Sequence, residues 1–486
     1  MTAAGLTARG TTTRTAITAD PRDGAGRARV QAALWVIVPA AMICAVVIGG
    51  MSLGSGGLIL VGAGLALLSA LLAPEVGLAV LAFLAPQLAP PGIPTPGLNL
   101  LLAAALVMGC VYRLPLDRPR LRLSTSGVFL LGFVIYVIAQ QLPTMLDGYG
   151  GDLGRTVGYL FFQLMAGFFT ILAAAYILRG RSPIPVLAMA LAGAFVATIV
   201  AVLTFDQPVS GPPFAGLVAT TDLGMRAAGP FGNPNYMGTF AVVTLVAIAG
   251  IWTAISAPLG RLLLVGVAVV CVVALVQAQS RGAVVAGFAG IAAIVWLRSR
   301  PLALAIVGVG LVTAVLIYPA FVEWRLTNLR GAPSDAGYVA MTESDDARLQ
   351  AALAGPAMFL SEPIFGVGFG AFEEKSVEVS GLETGINSHN WYVNVLAEQG
   401  ITGGLLWLGA TLAVAAELRA RRGPARLVGV GVFTTMSVGF LFLEGPTSFQ
   451  LIAVPSLFLI AALVSDWSFG RAGRAGLGDL SGSRGA

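Results

Sequence analysis

Histidine is almost missing from this chain: of 486 residues only His389 is an imidazole. A multi-histidine metal centre is therefore excluded, and one side chain alone has an unperturbed pKa near neutrality. Lysine is as scarce, with Lys375 standing alone beside 27 arginines. With alanine and glycine abundant, that bias points to GC-rich coding rather than to a nucleic-acid-binding surface. The three cysteines, Cys44, Cys110 and Cys271, all lie in or at the ends of apolar runs. They read as packing residues, not as a disulfide framework or a metal set. Charge is scarce as well. At 10% charged and 57% hydrophobic, with a mean hydropathy of +0.87, the chain is too apolar for a soluble domain.

What is present is a series of apolar runs, each of roughly 15 to 20 residues, the length that crosses a bilayer as a helix. The fold class expected is all-α, a polytopic membrane helical bundle. Spans are placed near 34–50, 57–73, 76–90, 98–111, 127–142, 157–178, 184–204, 236–255, 262–279, 283–297, 301–318, 401–418, 427–443 and 448–465. This gives about fourteen transmembrane helices. The Pro- and Gly-broken region 57–111 would reduce the count to twelve if its segments merge, without changing the orientation. By the positive-inside rule both termini are cytoplasmic. Of the 28 Lys and Arg, only Arg155, Arg226, Arg281, Arg325, Arg330, Arg348 and Lys375 then fall outside. The organisation expected is a cytoplasmic N-terminal tail (1–33), eleven spans (34–318), one large extracytoplasmic loop (319–400), three spans (401–465) and a cytoplasmic C-terminal tail (466–486). The tail 1–33 is polar and arginine-bearing and is read as retained, because no convincing cleavage site follows the first apolar run.

The 319–400 segment is too long for a simple connection and is expected to be partly helical. Thr342 or Ser344 with Asp345 and Asp346 can start a helix running to about Leu353, and Glu362-Pro363 stops a second one. Gly366-Val367-Gly368-Phe369-Gly370 is a turn with little side-chain bulk. Asn387 or Ser388 is expected to cap a helix whose first turn holds His389 and whose end is marked by Gly400. Four patches share the outer face: Arg226 to Tyr236, Gln279-Ser280-Arg281-Gly282, Arg348, and the His389 segment. Each also has a structural reading. His389 can be a cap, Arg281 a hairpin end, and Arg348 a partner of Asp345 or Asp346 worth about 0 to 1 kcal/mol. Arg226 can pair with Asp222, and Asn233 and Asn235 can cap the helix that follows. Glu373, Glu374, Glu378 and Glu383 read as a solvated face.

Taken in order, these motifs resemble the O-antigen ligase and Wzy-type polymerase family of bacterial membrane glycan transferases. The resemblance runs from about Arg226 to Gly404. It is carried by Gly229-Pro-Phe-Gly-Asn-Pro-Asn-Tyr236, Ser280-Arg281-Gly282, Arg348 ahead of Pro363-Ile-Phe-Gly-Val-Gly-Phe-Gly370, His389-Asn390 and Glu398-Gln-Gly-Ile-Thr-Gly403. It implies a glycosyltransferase of the cytoplasmic (inner) membrane, with His389 catalytic and Arg281 and Arg348 binding substrate. Arg226, Asn233 and Asn235 are further substrate-binding candidates.

The donor implied is a polyprenyl-diphosphate-linked (undecaprenyl-type) glycan, and the acceptor a glycan, lipid or protein hydroxyl. No cofactor, no metal and no nucleic acid are expected. Arginines supply the charge stabilisation, and Met51 to Gly57, the first outer loop, holds no carboxylate. The alternative is a polysaccharide or small-molecule transporter or flippase. Such a protein should carry ionisable residues near the bilayer midplane, and these spans are nearly free of them.

Overall fold

The computed structural model describes residues 64, 67–87, 95–117, 124–146, 151–203, 218–221, 224–231, 233–310, 312, 316, 349–350, 353–380, 388–443 and 449–467. Its helices are α1 (Pro74–Leu84), α2 (Thr95–Asp117), α3 (Thr125–Leu146), α4 (Gly151–Ile177), α5 (Ile184–Leu203), α6 (Pro234–Ile251), α7 (Pro258–Ala278) and α8 (Arg281–Trp296). There follow α9 (Arg300–Gly310), α10 (353–361), α11 (Phe372–Ser380), α12 (Trp391–Arg419), α13 (Gly423–Gly439) and α14 (Phe449–Val464). Two short strands, β1 (Val218–Thr221) and β2 (Gly224–Ala227), pair antiparallel ahead of α6. That hairpin is a local departure from the all-α expectation.

Prolines set several helix starts. Pro74, Pro234, Pro258 and Pro424 each occupy the first turn, where the missing N–H removes no helical bond. Pro74 also explains the region 57–111: helix 67–72 breaks at Ala73, and α1 is too short to be counted with the long spans. Six described helices are long and apolar enough to cross a membrane, and five shorter apolar ones accompany them. The expected spans from 127 onward coincide closely with α3 to α9 and with α12 to α14. The first span, 34–50, lies outside the described residues.

α6 is the centre of the later half, packed on α7, α8 and α13 with most of its side chains buried. α7 turns Leu262, Leu263, Val269 and Val276 outward. An apolar face turned outward suits lipid, not water. The ends of the bundle differ. At the end where α4, α6, α8 and α12 finish, Arg261 lies 5.5 Å over the Trp252 ring and Arg300 lies 5.7 Å over Trp296. Such Trp–Arg pairs suit an interfacial belt. At the same end Glu75 accepts from Arg113 at 2.8 Å and from Arg181, tying α1, α2 and the α4–α5 connection together. The motif residues lie at the opposite end.

Candidate active site

The α7–α8 link is so short that Gln279 takes a left-handed conformation (φ 50°) and Arg281 becomes the first residue of α8. A non-glycine residue there needs compensation. Arg226 supplies it: buried at 6% exposure, it donates through Nε to the Ala278 carbonyl (2.9 Å) and through a terminal nitrogen to that of Gln279 (3.3 Å). These are the carbonyls that the end of α7 leaves open. The same terminal nitrogen donates to Asn235 Oδ1 at 3.0 Å. Asn233 caps α6, its side chain accepting from the Asn235 backbone N–H at 2.8 Å. Arg226, Asn233 and Asn235 thus form a brace joining β2, α6 and α7. The alternative partner Asp222 lies outside the described residues.

His389 is half-buried and also has positive φ (50°). It does not stand in the first helical turn as expected. Asn390 is the N-cap, its side chain accepting from the N–H groups of Tyr392 (3.1 Å) and Val393 (3.3 Å), and α12 starts at Trp391. The difference arises because an asparagine in extended backbone, two to three residues ahead of free N–H groups, is the better cap. Ser388 bonds the Asn394 amide oxygen and accepts from the Asn390 N–H at 3.1 Å, closing a polar ring of backbone and side chains around His389. Left-handed histidine is uncommon, and such conformations persist where the surroundings impose them.

Two contacts bring these segments to one place. The Trp391 N–H donates to the Phe440 carbonyl at 2.8 Å, and a Cβ on Gly282 would lie 2.5 Å from Phe442 Cβ. The turn after α13 therefore has the His389 helix against one part and the Arg281 helix against another. Beneath it Trp391, Trp407 and Phe440 interlock with centroids 5.3 to 6.4 Å apart. The N-termini of α6, α8 and α12 all open at this end, adding partial positive charge to Arg226 and Arg281. Arg348 lies outside the described residues, as do Asn387, residues 342–347 of the expected helix, and Glu383. Glu373, Glu374 and Glu378 are exposed on α11.

The glycine-rich turn has a role that its sequence did not reveal. Gly400 breaks α12 (φ 61°, ψ −163°), which frees backbone groups on both sides. Residues 363–368 satisfy them. Val367 and Gly368 donate to the carbonyls of Ala397 (3.0 Å) and Glu398 (2.9 Å), and Pro363 accepts from Ile401 N–H at 2.9 Å. The approach requires glycine, since a Cβ on Gly366 would lie 2.3 Å from Gln399 N and one on Gly400 2.6 Å from the Ile364 carbonyl carbon. Glu398, buried at 5% exposure, accepts backbone N–H bonds from Phe372 (3.1 Å) and Gly370. From α3, Tyr136 hydroxyl lies 2.8 Å from the Phe365 carbonyl, while Gln140 and Gln141 donate to Phe365 (2.6 Å) and Phe369 (3.1 Å). The sequence motif included Glu398 without giving it a role, and the α3 triad was missed. The available signal was Tyr136 and Gln140, polar and one turn apart, in an apolar span.

The fold is that of a multi-pass membrane protein, and it gathers Arg226, Arg281 and His389 at one end of the bundle. Residues 266–408, a stretch that contains Arg281, the glycine turn and His389, match a family model described as O-antigen ligase. No curated protein matches the chain.

Proposed function

We propose that the chain transfers a glycan from a polyprenyl-diphosphate donor to an acceptor hydroxyl at the outer face of the cytoplasmic membrane, as a ligase or a polymerase. The observation that carries this reading is that the two helix starts next to Arg281 and His389, both within the stretch matched to the O-antigen ligase family, pack on the same Phe440–Phe442 turn through Gly282 and Trp391.

His389 takes the proton from the acceptor hydroxyl as its oxygen attacks the anomeric carbon. The bond from that carbon to the diphosphate oxygen breaks in the same displacement, with inversion. Arg281 and Arg348 hold the departing diphosphate, each charge-assisted hydrogen bond contributing about 1.5–3 kcal/mol. The open N-terminus of α8 adds to that field. Arg226, Asn233 and Asn235 act one layer back, setting where Arg281 stands. No metal is needed, because the arginines neutralise the developing charge.

The test uses the purified full chain with a polyprenyl-diphosphate-linked oligosaccharide. His389→Ala should lower turnover by about 10²- to 10⁴-fold, the usual contribution of a general base, with unchanged elution and thermal stability. EDTA should leave the unsubstituted protein active. Full activity in His389→Ala would remove the histidine from the chemistry, and loss of activity on chelation would end the metal-free scheme.

A further inference from the structure

A groove of about 1340 Å³ runs through the bundle, with α3 and α12 on one side and α4, α13 and α14 on the other. It exceeds the roughly 300–1,000 Å³ of small-molecule sites. Its walls are apolar, among them Leu164, Phe168, Leu172, Trp407, Val414 and Leu459. One end lies below the active-site end, at Tyr392 and Phe440. The other opens at Ser124, Ser126, Arg179, Arg181, Glu417 and Arg421.

That mouth has three arginines against one carboxylate. Glu417 is already held by the Ser126 N–H (3.0 Å) and hydroxyl (2.9 Å), and Arg181 is bound to Glu75, which Arg113 also neutralises. Arg421 is half-buried and has no side-chain partner among the described residues. A net positive, hydroxyl-bearing rim on a lipid-sized apolar groove is complementary to a phosphate ester with hydrocarbon chains. Basic pockets between helices at the positively charged end of a bundle recognise acidic lipids in this way.

We propose that this groove holds an anionic glycerophospholipid, its phosphate at Arg179 and Arg421 and its acyl chains along the walls toward Tyr392. The site is distinct from the reacting diphosphate. Leu164 to Ile177 on α4 spans about 20 Å at 1.5 Å per residue and Arg179 follows its end, so the rim sits at the far end of the groove from Tyr392. The bound lipid would fill the space between the α3–α12 pair, which carries the glycine-turn clasp and leads from His389, and the rest of the bundle. This inference stands independently of the transfer reaction.

Native mass spectrometry of the full chain, incubated in mild detergent with equimolar palmitoyl-oleoyl phosphatidylglycerol and phosphatidylcholine, tests it without reading activity. Retention should favour phosphatidylglycerol about five- to thirtyfold, the selectivity of one to two arginine contacts. Arg179→Gln with Arg421→Gln should bring the ratio near parity, whereas the two Arg→Lys changes should keep most of it. Ala410→Trp, which fills the groove, should lower retention of both lipids, and Arg298→Gln with Arg300→Gln should change neither. Parity in the unsubstituted protein, or indifference to Ala410→Trp, would overturn the proposal. Displacement of the phospholipid by equimolar polyprenyl phosphate would overturn it too, naming an isoprenoid as occupant.

Discussion

At the scale of single residues, Arg226 and Arg281, which meet the α7–α8 link from its two sides, have different work, and substitution should separate them. Arg226 is buried with three acceptors, so Arg226→Ala leaves the Ala278 and Gln279 carbonyls and the Asn235 amide oxygen without their donor. A loss of about 2–4 kcal/mol, read as a lower melting temperature in detergent, is expected. Arg281 begins a helix at the proposed diphosphate site. Arg281→Lys should keep the melting temperature and lose most of the turnover, because an ammonium cannot reproduce the planar, multidentate fork. Turnover near that of the unsubstituted protein in Arg281→Lys would remove the clamp. The sequence placed both residues on one face but could not rank them, since the partners of Arg226 are carbonyls, and every residue carries one.

At the scale of elements, the break at Gly400 and the turn at 363–370 complete each other's hydrogen bonding. Gly400→Ala would introduce a Cβ 2.6 Å from the Ile364 carbonyl carbon at a φ of 61°, and the junction should open. Hydrogen–deuterium exchange across 364–372 should rise by at least about tenfold, while exchange in α6 stays unchanged. Equal exchange in both proteins would show that the turn holds itself. Spans such as 184–204 and 401–418 were legible because an apolar run in a bilayer has one low-energy form, the helix. Gly400 was legible as a helix end. Its use as a docking point was not, because it depends on residues 34 to 37 positions earlier and on Tyr136 far beyond them. The cap at Asn390 was misplaced by two or three residues because Asn387, Ser388 and Asn390 are all good caps, and only the backbone path chooses among them.

At the scale of the molecule, the arginine–tryptophan end and the His389 end define an axis, and orientation follows from which end faces the cytoplasm. The positive-inside reading puts α11 outside and the α12–α13 connection inside. On a cysteine-free background, an impermeant maleimide added to intact spheroplasts should label Ser380→Cys and spare Ala420→Cys until the membrane is opened. The reverse pattern would move the proposed reaction to the cytoplasmic side.

The clasp between α3 and the glycine turn also has a meaning in time. Tyr136 and the Gln399 carbonyl it reaches (3.0 Å) are 263 residues apart in the chain. At the usual 5–20 residues per second of synthesis, α3 enters the bilayer on the order of ten to fifty seconds before its acceptors exist. During that interval a hydroxyl and two carboxamides face hydrocarbon or a borrowed partner, at about 1–2 kcal/mol each. The nascent chain is therefore in most need of an insertase or chaperone when α3 enters the bilayer, long before the active site can assemble.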